Sequence, residues 1–139
     1  MAMMFVSILR QGDFLIASIH AALDDEELMQ FQSDLIDQIG EYRACGVVVD
    51  VAALDVLDSF ASKSLHDLAY MARLRGAETV IVGIQPEVAF ALVQLPRGLD
   101  VHTALDLEEG LIHLERVTSG RRTGRSTLQA LEERRAPSR

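Results

Sequence analysis

Residues 46–50 read Gly46-Val-Val-Val-Asp50, a short unbroken β-branched run of the kind that forms a strand covered on both faces. Such a strand belongs in the middle of a sheet, so its flanks decide the topology. Upstream, Asp24-Asp-Glu-Glu27 places four carboxylates where a helix N-terminus attracts negative charge. Leu28, Phe31, Leu35 and Ile39 then recur on one face, predicting a helix that ends by Tyr42. Before it, Met3–Leu9 and Phe14–Ile19 are β-rich and separated by Arg10-Gln-Gly-Asp13, the pattern of an antiparallel hairpin. Downstream, Ala61, Leu65, Leu68 and Ala72 make a second helical face with Gly76 as its stop, and Thr79–Gly83 is another buried strand. Pro86 opens a third helix with Val88, Ala89, Leu92 and Val93 expected to face inward, and a short strand follows near Val101. Thr103 with Asp106 resembles a capping box for a last helix striped by Leu107, Leu111 and Leu114. The order is ββαβαβαβα. Repeated strand–helix–strand crossovers force parallel neighbours, so the fold class is α/β, a small mixed sheet carrying helices.

With 139 residues, 49% of them hydrophobic and 24% charged, the chain can bury one core. Its formal net charge of −8 argues against general binding to nucleic acid or to anionic membranes. The lone cysteine, Cys45, can form neither an internal disulfide nor a zinc site, which fits a reducing compartment. No apolar run reaches the roughly 20 residues of a membrane span, and no basic leader precedes the first strand, so a cytoplasmic protein is expected. Charge is unevenly placed: residues 1–117 hold 7 basic and 19 acidic side chains, whereas 118–139 hold 6 and 2. The expected division is a domain over 1–117 and a basic, flexible tail over 118–139, with a weak helical pattern from Thr127 to Arg135.

The loop after the central strand is the richest in chemistry: Asp55-Val-Leu-Asp58-Ser59-Phe60, then Ser62, Lys63, Ser64, His66 and Asp67. In open α/β sheets functional groups gather beyond the carboxyl ends of the strands. A Ser/His/Asp hydrolase fails on geometry, because His66 lies about 10 Å along a helix that begins at Ser59, and no G-x-S-x-G elbow surrounds that serine. A phospho-accepting receiver fails as well: no acidic pair follows the first strand to stand beside Asp50, and Lys63 is the single lysine. His20, His66, His102 and His113 are dispersed without ligand spacing, and no glycine-rich phosphate cradle occurs, so neither a metal nor a cofactor is expected. What remains is Ser59, which on local grounds alone reads as a helix N-cap.

The strand and helix order, together with Leu57-Asp-Ser-Phe60, resembles the STAS domain of anti-sigma-factor antagonists. Three more segments resemble its RsbS-type stressosome branch: Leu23-Asp-Asp25, Gly83-Ile-Gln-Pro86 and Thr103-Ala-Leu-Asp-Leu-Glu-Glu-Gly110. The resemblance covers residues 3 to 116. It implies a non-enzymatic scaffold of a bacterial stress-signalling complex that binds and sequesters a serine kinase of the RsbT type. Ser59 would be the phosphorylation site, with Asp55, Asp58 and Phe60 meeting the kinase. It further implies a homo- and hetero-oligomer with a sensor-bearing RsbR-type paralogue, and a dedicated phosphatase that resets Ser59. Sensor-bearing paralogues commonly carry a threonine before the proline where this chain has Gln85, and a strand pattern that begins at Met3 leaves no sensor ahead of it. The rival reading is a STAS accessory module that binds a small ligand or serves a transport system, with Ser59 only a cap.

Overall fold

In the computed structural model, residues 5–96 and 98–120 are described. Strands β1 (Val6–Gln11) and β2 (Phe14–Ile19) form the antiparallel hairpin. Then come α1 (Asp25–Tyr42), β3 (Gly46–Asp50), α2 (Ser59–Leu74), β4 (Glu78–Val82), α3 (Pro86–Leu92), β5 (His102–Ala104) and α4, residues 107–120. The sheet order is β1-β2-β3-β4-β5, with β2 to β5 parallel. The hairpin sits later than expected: β1 starts at Val6 rather than Met3, which lies outside the described residues, and runs through Gln11 because Arg10 and Gln11 pair with Leu15 and Phe14.

Strand alternation assigns the two faces. Leu15, Ala17 and Ile19 of β2 and Val47 and Val49 of β3 point to a core shared with Phe31, Leu35 and Ile39 of α1 and Leu65, Leu68 and Ala72 of α2. Val88 and Leu92 of α3 join the same core. Phe14, Ile16, Val48, Val80 and Val82 point the other way, where Leu114 of α4 closes a smaller core with Leu107 and Leu111 against it. Among the described residues, three helices thus lie on one face and a single helix on the other. Gly110 makes that single cover possible, because a Cβ there would stand 2.7 Å from Val82 Cγ1.

Three local expectations change. The cap of α4 is Asp106, whose Oδ1 accepts from Glu109 N at 3.0 Å, while Thr103 is in β5. A threonine engaged in a ladder with β4 cannot also begin a helix. On α3, Val88 and Leu92 are buried but Ala89 and Val93 are exposed, because a helix of seven residues turns only one narrow stripe to the sheet. The compositional boundary at Thr118 falls inside α4. Thr118 is fully buried and donates its Oγ1 to Leu114 O at 2.7 Å, extending the stripe of residues 107, 111 and 114 by one more turn. The rest of the basic tail, with the helical pattern from Thr127 to Arg135, lies outside the described residues.

At the β5 edge, the rings of His102 and His113 stack with centroids 3.5 Å apart and planes 3° from parallel. Burial holds the pKa of His113 below 6.5, helped by His102 and Arg116 and opposed by Glu78. The folded chain therefore binds this proton less readily than the unfolded chain. The contribution to stability is intact above the unfolded pKa and is lost as pH falls through it. Melting temperature should drop between pH 7.5 and pH 5.5, and His113→Gln should shrink that drop; equal drops in both chains would refute the assignment.

Candidate functional site

The loop joining β3 to α2 is built on Ala52. Asp50, the last residue of β3, accepts Ala52 N on its Oδ1 at 2.9 Å, and Gln85 Nε2 donates to Ala52 O at 2.8 Å from the turn before α3. Gly83 lets the two loops approach this closely: its φ is 82°, and a Cβ would meet Ala52 Cβ at 2.9 Å and Ala52 N at 3.2 Å. Beyond this clamp, Leu54 and Leu57 turn into the core, and Asp55, Val56 and Asp58 turn out. Beyond these two anchors residues 58–60, at the start of α2, are exposed and form a platform.

The structure overturns one local reading. Asp58, not Ser59, is the N-cap of α2: its backbone is extended and its Oδ1 accepts from Ala61 N at 2.8 Å. Ser59 is the first helical residue, exposed, and its hydroxyl makes no hydrogen bond among the described residues. The first intrahelical bond runs from Ser62 N to Asp58 O at 2.9 Å, so the N–H groups of Ser59 and Phe60 have no partner within the helix. Asp58→Ala should therefore destabilise the domain by about 1 kcal/mol, read as a lower urea midpoint at unchanged slope. A silent substitution would show that the cap does not hold α2.

The residues singled out from sequence are brought together here: Asp55, Asp58, Ser59 and the half-exposed Phe60 share the platform. Ser62 and Ser64 turn inward instead, 3% and 5% exposed, with Ser62 Oγ donating to Gly98 O at 3.1 Å. Sequence reasoning missed Val56, an apolar side chain 65% exposed three residues before Ser59, and the Gln85–Ala52 bond, which joins positions 33 residues apart. Exposure of a valine in a loop has no spacing signal. It also missed a groove of about 800 Å³ that begins at Ser59 and runs along Lys63 and His66 to Leu95 and Leu99. Lys63 Nζ bonds Asp67 Oδ2 at 2.6 Å across one helical turn. No group of three or more His, Cys, Asp or Glu side chains placed to hold a metal occurs among the described residues. Nor is any described helix long and apolar enough to cross a membrane.

Comparison with known proteins places this geometry. The chain is 27% identical over 92 residues to the RsbT co-antagonist protein RsbRA of Bacillus subtilis (strain 168). That match covers 64% of this chain but only 33% of RsbRA, so the chain spans a third of that relative's length. A solved serine-to-glutamate variant of RsbS from Moorella thermoacetica superposes with a TM-score of 0.69 at 33% identity, covering 82% of this chain and 97% of that one. A chain from the stressosome, described as a signal integration and transduction hub, superposes with a TM-score of 0.65 at 31% identity, covering 81% and 98%. The STAS domain profile matches residues 6–110, from the first residue of β1 into α4, and so takes in the whole sheet and the Ser59 platform. On fold, extent and sequence together, the chain belongs to the STAS domain family.

Proposed function

We propose that the chain is a non-enzymatic, phosphorylatable scaffold of a stressosome, which captures a serine kinase of the RsbT type and accepts phosphate from it at Ser59. The observation that carries this reading is the division of labour at the start of α2. Asp58 caps the helix, leaving the Ser59 hydroxyl exposed and without a hydrogen bond among the described residues. A serine that capped its own helix would have to give up that bond to react; Ser59 gives up nothing. Its phosphate, with about −1.5 to −2 charges, would stand at the positive end of the helix beside the free N–H groups of Ser59 and Phe60. The helix keeps its structure, and the change is one of surface charge beside Asp55 and Asp58. The relatives support the setting: one is a stressosome chain, and another is an RsbS variant bearing glutamate in place of a serine.

Within this reading, Asp55, Asp58 and Phe60 present the acceptor to the kinase, an RsbR-type sensor paralogue co-assembles with the chain into the hetero-oligomer, and a dedicated phosphatase resets Ser59. The work is cytoplasmic. The rival is an accessory module that binds a small ligand or serves a transport system; its premise that Ser59 is the cap is not met, since the cap is Asp58. The switch is tested by capture: an RsbT-type kinase should be retained by the unmodified chain and several-fold less by Ser59→Asp. Equal retention, or co-purification with a transporter in place of a kinase, would defeat the scaffold reading.

A further inference from the structure

We propose that Lys63 is the switch that carries phosphorylation of Ser59 into the groove beside it, leaving Asp67 for the phosphate one turn away. This rests on the reading of Ser59 as the acceptor. The argument is one of helical spacing. Ser59, Lys63 and Asp67 follow at successive steps of four on α2, so Lys63 stands between the other two, and all three line the same groove. Before modification, Lys63 has one anionic neighbour along this row and bonds it, Asp67 Oδ2 at 2.6 Å. Phosphorylation puts a second anion at the other end of the row.

Magnitudes favour the exchange. The lysine and aspartate side chains are 73% and 43% exposed, so the existing pair is a weak, solvent-screened contact. The competitor carries up to twice the charge of a carboxylate and three acceptor oxygens. It is also N-terminal to the lysine, the better orientation for an i,i+4 pair, whereas Asp67 lies on the C-terminal side. Lys63 is the chain's single lysine and the basic side chain of this row. Once it turns to the phosphate, Asp67 faces the groove without its cation, in a lining that also holds Asp100. A single modification at the platform thereby makes the groove wall more acidic over the next two turns of α2, enlarging the surface a kinase would sense beyond the reacting serine.

The test installs phosphoserine at position 59 during translation of the full chain and follows the phosphate by phosphorus NMR through its second ionisation. Asp55, Asp58, Asp67 and Asp100 raise that midpoint, Lys63 and any charge on His66 lower it, and only Lys63 is varied. In Lys63→Met the midpoint should rise by roughly 0.3 of a pH unit, and in Lys63→Arg it should stay near that of the lysine chain. In a structure of the phosphorylated chain, Lys63 Nζ should lie within hydrogen-bond distance of a phosphate oxygen and away from Asp67. Coincident midpoints for Lys63 and Lys63→Met, or a lysine still on Asp67, would overturn the proposal. Because the phosphate is installed without a kinase, such a result leaves the acceptor reading standing; failure of a kinase to modify Ser59 would strike that reading alone.

Discussion

Ser59→Ala should abolish phosphate transfer from an RsbT-type kinase while shifting the melting temperature by no more than about 3 °C. The small thermal effect follows from the helix start. The hydroxyl removed makes no hydrogen bond among the described residues, alanine is a good first-turn residue, and the Asp58 cap on Ala61 N is untouched. The complete chemical effect follows from burial: the neighbouring serines of α2, Ser62 and Ser64, are closed off in the fold. Site mapping by mass spectrometry after incubation with kinase and ATP checks both halves. Phosphate found mainly on Ser62, Ser64 or Thr103, or a chain that unfolds on losing the hydroxyl, would reverse the assignment.

The largest structural effect should come from Leu114→Ala, at about 2–5 kcal/mol. Leu114 is fully buried and is the apolar side chain through which α4 enters the smaller core, among Phe14, Val48 and Val80. Gly110 has no side chain to fill the gap, and Leu107 and Leu111 are only partly buried. Against a total of about 5–15 kcal/mol for a domain, such a loss is severe. Urea denaturation measures it; a cost under about 1 kcal/mol would mean that α4 is held by other means.

Most of the fold was legible because its signals are local. The valines of β3 declare a two-sided strand, and Leu28, Phe31, Leu35 and Ile39 declare one face of α1; all of them are buried as that pattern requires. The platform at the start of α2 was legible as a segment, through Asp58-Ser59-Phe60 and the order of elements around it. Its internal division of roles was not, since Asp and Ser are both good caps and only the backbone shows that the helix begins one residue after Asp58. The contacts that fix the platform were hidden for another reason. Gln85 reaches Ala52 through space, and Gly83 is needed because of a neighbour that no local pattern names. Val93 was misread because a helical stripe seen in sequence does not say where a short helix stops facing the sheet.

The unequal covering of the sheet bears on how the protein is born. Phe14 and Ile16 belong to the hairpin made first, yet the helix that shields them contributes Leu114, made 100 residues later. At about 5–20 residues per second, translation leaves roughly 5–20 s between the two. Throughout that interval the face carrying Phe14, Ile16, Val48 and Val80 has no helix to cover it, while the opposite face can already collect α1 and then α2. A nascent chain stalled before α4 should therefore be a chaperone client, bound through that face, and should be released as the last helix emerges.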